Sequence, residues 1–149
     1  MNFDDLLDPD HVVLDLVVPD KDRLLRYLAD RAGAATGLDT ARILAALKNR
    51  ETLGSTGIGN GIALPHASVA SLTAPFCMLV RLATPLDFDA IDDKQVDIIF
   101  LLLNRPDGAS ADLSVLAMVA RQLRSPAVLA ALRSVATQTE LSAALRLGL

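Results

Sequence analysis

The sequence predicts an α/β fold, with a mixed β-sheet covered by helices on both faces. Three observations lead there. Segments of helical periodicity lie before, between and after short runs of apolar and β-branched residues, so helices must layer against strands. The chain has 149 residues, which suits one core built from both kinds of element. No internal repeat, low-complexity tract or linker divides it, so residues 1–149 read as a single domain.

The elements follow in order. Residues 3–7 predict a short helix, and Val12–Leu16, apolar and β-branched, predicts a strand. Asp20 is an N-cap for a helix over 21–35 that Gly37 ends. Asp39 caps the next helix, over 40–52, where Ile43, Leu44 and Leu47 share a face. A glycine-rich loop comes next. Ile62–Leu64, Phe76–Leu82 and Val96–Leu103 then read as strands. Ser110 or Asp112 opens a helix whose apolar stripe is Leu113, Leu116, Ala120 and Leu123. Ser125-Pro126, a cap followed by proline at the first helical position, opens a helix over 126–134. Thr137 and Glu140 have capping-box spacing for the last helix.

Composition excludes several functions. The chain is 52% hydrophobic with a mean hydropathy of +0.39, so membrane insertion has to be weighed. Its apolar runs are short, however: Ile98–Leu103 is bracketed by Asp97 and Asn104, whereas a spanning helix needs roughly 20 apolar residues. Asp4, Asp5, Asp8 and Asp10 are the opposite of a signal peptide's basic start. One cysteine allows no internal disulfide. These features predict a cytoplasmic protein without membrane insertion. A net charge of −4 argues against nucleic acid as a partner, because phosphate contacts need clustered Lys and Arg. No Cys/His cluster indicates zinc, and the aspartates at 87, 89, 92 and 93 lack calcium-loop spacing. Cys77 reads as a core thiol and His11 as a surface residue entering a strand.

The most informative stretch is Gly54-Ser55-Thr56-Gly57-Ile58-Gly59-Asn60-Gly61-Ile62-Ala63-Leu64-Pro65-His66. Glycines let backbone N–H groups turn toward an anion without Cβ obstruction. Ser55 and Thr56 add hydroxyl donors. His66 follows a proline at the end of a strand, and an imidazole is nucleophilic near neutral pH because much of it is unprotonated. The combination points to a histidine that carries a phosphoryl group. A P-loop is excluded because no Gly-Lys-[Ser/Thr] occurs, and a dinucleotide fingerprint because the glycines run from a helix into a strand. A plain tight turn at Asn60-Gly61 stays open. Arg50, near the C-terminal end of the preceding helix, offers a guanidinium for bidentate pairing with phosphoryl oxygens, or a cation that complements the helix dipole.

With Arg50-Glu51-Thr52-Leu53 before it, this stretch resembles the signature of type-2 enzyme IIA domains of the bacterial phosphotransferase system, most of all their nitrogen-regulatory branch. The likeness continues through Thr84–Asp92 and Val96–Phe100 and covers nearly the whole chain. It implies the mixed sheet covered on both faces, which periodicity alone only permits. It also implies that His66 accepts a phosphoryl group through Nε2 from a small HPr-like carrier, with Arg50 beside it. The loop N–H groups at Gly57 and the hydroxyls of Ser55 or Thr56 are then candidates to hold phosphoryl oxygens. No cofactor is called for.

The chain departs from the family at one place. Members commonly open the helix after the last strand with a second histidine, which faces the phosphorylated one; here the position is Asp112. An ionised carboxylate cannot donate to a phosphoryl oxygen. Asp112 is expected either to modulate His66, by accepting its Nδ1 proton and repelling the phosphoryl group, or merely to favour its own helix start. The leading function is a regulatory phosphocarrier whose two charge states bind different target proteins. The alternatives are a fructose- or mannitol-type IIA that passes the group to a IIB domain, and an interaction protein with weakened transfer chemistry. Homodimer formation is left open.

Overall fold

The computed structural model describes residues 6–149. Most of the helix expected at 3–7 lies outside that range, although Leu6 and Leu7 are buried in the core. A 3₁₀ turn, Pro9–His11, leads into β1 (Val12–Leu16). Its His11 packs against the Phe76 ring at 4.7 Å. Helices α1 (Lys21–Thr36) and α2 (Thr40–Thr52) follow. Asp20 and Asp39 cap them by accepting from the N–H groups of Arg23 and Ala41, and Gly37 ends α1 with φ 74°. The short strands β2 (Gly57–Gly59), β3 (Ile62–Ala63) and β4 (His66–Ser68) come next, then β5 (Phe76–Leu86) and β6 (Val96–Asn104). Helices α3 (Ala109–Gln122), α4 (Pro126–Ser134) and α5 (Gln138–Leu145) complete the chain.

The strands form one mixed six-stranded sheet in the order β1-β5-β6-β3-β2, with β4 also paired to β6. β5 and β6 run antiparallel, while β1 lies parallel to β5 and both β3 and β4 lie parallel to β6. Helices cover both faces. On one side Leu24, Leu28, Ile43 and Leu47 of α1 and α2 pack against Met78, Val80, Ile99 and Leu101. On the other Val115, Val119, Leu132 and Leu141 of the last three helices pack against Leu79, Ile98, Phe100 and Leu102. Alternation along β5 and β6 assigns successive side chains to opposite faces, so both read as continuous apolar runs.

Several elements differ from expectation. β3 and β4 are one line of pairing interrupted at Leu64-Pro65: Ala63 lies against Ile99 and His66 against Leu102. Proline has no N–H for the ladder, so the strand breaks there without losing register, and His66 opens β4 rather than ending a strand. β2 and β3 pair antiparallel around Asn60 and Gly61, with φ of 57° and 82°. This is the two-residue hairpin turn that positive φ at both positions permits. Thr137 caps α5, but its hydroxyl donates to Glu140 Oε1 instead of the carboxylate reaching back to the backbone.

The stripe expected on α3 meets the core only in part: Leu123 is buried, and Leu116 and Ala120 pack against the core as partly buried side chains. The residues that α3 buries are Asp112, Val115 and Val119, with Leu123 beyond its end, while Leu113 is 40% exposed. The helix is apolar around most of its circumference, so periodicity cannot choose which side meets the sheet. Among the described residues no single helix is long and apolar enough to cross a membrane; α3 and α4 together have the length but meet at a bend of 88°.

Candidate functional site

His66 stands where the sheet is one strand thin. At its level β4 has β6 on one side and no strand on the other. Directly paired residues point to the same face, and the row Cys77–Leu102–His66 therefore places the imidazole on the α3 side. Arg50 belongs to α2 on the opposite face and meets His66 at this open edge. Its Nε donates to His66 Nε2 at 3.3 Å, and Nη1 donates to the Gly54 carbonyl at 3.0 Å. Nη2 is left uncommitted among the described residues.

The imidazole's other nitrogen sets its chemistry. Nδ1 lies 2.8 Å from the Leu64 carbonyl. A carbonyl only accepts, so Nδ1 carries the proton and Nε2 keeps its lone pair. The contact is local: His66 lies two residues after the carbonyl, with Pro65 between them. Nε2 is thus a nucleophile with a guanidinium within reach, in a cleft of about 310 Å³. Arg50, Ser55, Thr56 and His66 supply its polar side, and Ile58, Leu64 and the α3 side chains Leu113, Leu116, Ala117 and Ala120 supply an apolar wall. The spacing 113, 116, 117, 120 is one helical face.

Ser55, Thr56 and Gly57 lie at the cleft or beside it, but their donors are not idle. The Ser55 hydroxyl donates to the Phe88 carbonyl at 2.8 Å and accepts from Gly57 N–H at 3.0 Å. Thr56 donates twice to the Glu51 carboxylate, from N–H at 3.1 Å and from Oγ1 at 2.6 Å. A loop held this close to the core has to satisfy its own polar groups. These groups shape the cleft, and any of them that takes an anion exchanges a partner first. Gly57 is glycine for a packing reason, since a Cβ there would come within 2.8 Å of Ala90 Cβ.

Glu51 is the residue that sequence reading passed over. It sits in the last turn of α2 with its side chain 7% exposed, and it binds Lys21 Nζ at 3.0 Å in addition to Thr56. A carboxylate at a helix C-terminus is disfavoured by the dipole. That was the available signal that Glu51 has partners elsewhere.

Asp112 does not meet His66, whose Nδ1 proton is taken by Leu64. Asp112 is fully buried and is bound by Arg105 through Nη2 at 2.8 Å, Nε at 3.2 Å and the backbone N–H at 2.8 Å. A buried carboxylate needs a cation and several donors, and Arg105, on the loop after β6, provides both. The orienting contact expected of Asp112, acceptance of the His66 Nδ1 proton, is not made, because the Leu64 carbonyl takes that proton. The carboxyl is held below its ordinary 3.8 chiefly by the Arg105 guanidinium, against the upward push of burial. A depressed folded pKa adds stability that is present above about pH 4 and lost as pH falls through the folded value. Arg105→Ala removes the lowering cause, so acid unfolding followed by circular dichroism should begin at a higher pH than in the wild type. Identical acid transitions would show that the pair adds nothing. Cys77 is buried, and its thiol is pushed up to about 12 by burial first and by the Asp112 charge second, which makes it an unreactive core residue.

The fold and the cleft together define a class of protein: an α/β domain that brings a histidine's Nε2 and an arginine together at the edge of its sheet. The sequence comparisons give the family. Residues 5–147 match the family described as phosphoenolpyruvate-dependent sugar phosphotransferase system, EIIA 2, and the chain belongs to it. The chain is similar to a nitrogen regulatory protein of Bradyrhizobium diazoefficiens, 38% identical over 135 residues, or 90% of this chain and 88% of that one. The solved nitrogen regulatory protein IIA-Ntr of Neisseria meningitidis superposes with a TM-score of 0.91 at 33% identity, covering 95% of this chain and 97% of that one. The mannitol enzyme IIA of Escherichia coli, solved in complex with its phosphorylated enzyme IIB, shares the fold with a TM-score of 0.77 at 15% identity, covering 95% and 99%.

Proposed function

We propose that the chain is a cytoplasmic regulatory phosphocarrier that accepts a phosphoryl group on His66 from an HPr-like protein and signals through its phosphorylation state. The observation that carries this reading is the tautomer: Nδ1–H on the Leu64 carbonyl, with Nε2 unprotonated beside Arg50. Nε2 attacks the phosphorus of the donor's phosphohistidine. The new N–P bond forms as the donor's N–P bond breaks, and that electron pair returns to the donor imidazole. The Nδ1 proton stays where it is. Phosphoryl transfer asks mainly for positioning and charge stabilisation, and Arg50 has an uncommitted Nη2 to turn toward the phosphoryl oxygens.

A protein donor needs a docking surface, and support for one lies around the cleft. Leu53, Ile91 and Leu113 are 83%, 77% and 40% exposed. Leu53 directly follows the helix of Arg50, and Ile91 N–H donates to the Gly57 carbonyl. Apolar side chains gathered beside a reactive group suit a transient protein partner. Phosphorylation then places roughly two negative charges in the middle of that surface, which strengthens or breaks an interface according to the partner's charge. The nitrogen-regulatory names of the relatives at 33–38% identity support regulation over sugar transfer. The fold neighbour's complex with a IIB protein supports the second reading, delivery to a IIB domain through this same surface.

Incubation with phosphoenolpyruvate, enzyme I and an HPr-like carrier tests the reading by intact mass. One added phosphoryl group is expected, and an unchanged mass overturns it. Arg50→Ala should slow the reaction at least about tenfold, roughly 1.4 kcal/mol of barrier. Arg50→Lys should recover only part, because a point charge cannot serve Nε2 and a phosphoryl oxygen in the same plane. Wild-type rates in both variants would reduce Arg50 to a helix-end cation.

A further inference from the structure

A cavity larger than the His66 cleft lies elsewhere on this protein. It has a volume of about 650 Å³ and lies between the Asn60-Gly61 turn, the segment entering β6 and the start of α4. It shares no lining residue with the His66 cleft. We propose that this cavity binds a small organic phosphate of nucleotide size, independently of the phosphocarrier site.

Charge is the first argument. The chain carries a net −4, yet this cavity is lined by three cations, Lys94, Arg124 and Arg133, and a single carboxylate, Asp97. Arg133 is fixed in place: Nε and Nη2 bind Asp97 at 3.0 and 2.9 Å, and Nη2 donates to the Asn60 carbonyl at 2.6 Å. That pairing consumes the one carboxylate in the lining. Lys94 and Arg124 form no ion pair among the described residues. Lys94 feels the field of Asp92, whose oxygens are taken by the Asn60 and Lys94 N–H groups. With Arg133 paired to Asp97, Arg124 and Lys94, the latter beside Asp92, leave the lining of this cleft positive, and a cleft focuses such a potential.

Shape is the second argument. The volume falls in the range of sites for drug-sized and cofactor-sized ligands, about 300–1,000 Å³. The lining also contains apolar side chains, Pro85, Pro126 and Leu129. A bare inorganic anion would leave those side chains unused, and an apolar molecule would leave the cations unpaired. A compound with a multiply charged end and a flat, weakly polar body uses both. Lys and Arg that are free to turn toward phosphate oxygens, with proline faces for a ring, fit a nucleotide.

The test uses the full chain at low salt, titrated with ATP, AMP, adenosine and inorganic phosphate by calorimetry and by amide shifts in NMR. ATP and AMP should bind one to one with Kd below about 1 mM, ATP the more tightly, and adenosine should not bind. The amide shifts should fall at Gly61, Lys94–Asp97 and Val128–Arg133 and spare Ser55–Ile58. Both rim cations are exposed, so the Lys94→Ala/Arg124→Ala double variant should keep its fold and lose at least about tenfold in affinity for ATP. The proposal is overturned if neither nucleotide saturates, if adenosine or inorganic phosphate binds as well as AMP, if the shifts centre on the His66 cleft, or if the folded double variant binds like the wild type.

Discussion

His66→Ala is expected to abolish the acid-labile, base-stable phosphoryl group that an HPr-like donor places on the protein, without unfolding it. The loss should be complete because nothing else at the cleft can replace Nε2. Arg50 is a permanent cation, the Ser55 and Thr56 hydroxyls are bound to Phe88 and Glu51, and the Cys77 thiol is buried and raised to about 12. The other histidine, His11, packs at a tilt against Phe76 near β1 and does not line the cleft. The fold should survive because the imidazole is only half-buried and its one backbone bond is to Leu64, two residues away. Intact mass after donor treatment reads the first part and far-ultraviolet circular dichroism the second. Labelling of the folded alanine variant at the wild-type level would sink the assignment.

Glu51→Ala should have the largest effect on stability, about 3 kcal/mol. The substitution strands the Thr56 N–H and hydroxyl in a place where the residue is 3% exposed, and it takes the carboxylate from Lys21 Nζ. Each buried donor left without a partner costs on the order of 1–3 kcal/mol. Water entering the space left by the side chain lowers the sum, and Lys21 keeps Asp89 at 3.6 Å. Glu51→Gln retains one carbonyl acceptor and should cost about half as much. Urea denaturation should show a lower midpoint at unchanged slope. Because Glu51 ties the loop of the cleft to the helix of Arg50, donor phosphorylation should slow in the same order. A midpoint shift worth less than about 0.5 kcal/mol in the alanine variant would mean that the loop holds its shape without the carboxylate.

Much of the fold was legible because its signals are local. The caps at Asp20, Asp39, Ser125 and Thr137 act on N–H groups two or three residues away, so they can be read within a few positions of sequence. The cores of β1, β5 and β6 are apolar runs long enough to recognise. β2 and β4 were missed, because three residues are too few for a period of two and β2 is glycine at both ends. They are strands only because β3 and β6 lie beside them. The end of β5 passes through Thr84-Pro85, which reads as a breaker and is tolerated only where the register with β6 shifts between Arg81 and Leu86.

The candidate site divides in the same way. Sequence by itself determined that His66 follows a proline at the end of an apolar strand, that glycines and hydroxyls precede it, and that Arg50 lies near the end of the helix before them. These are relations among neighbours. The tertiary structure alone decided which groups meet. Across 16 positions Arg50 reaches Nε2 round the open edge of the sheet. Across 33, Ser55 is held by Phe88. Asp112 is bound by Arg105, since a carboxylate on the buried side of α3 has to find a cation there. The face that α3 gives to the cleft was likewise settled by packing. Apolar residues on all sides of a helix make its orientation a matter of how well Val115, Val119 and Leu123 fill the space over the sheet, and complementarity of that kind is not written in the spacing of any one segment.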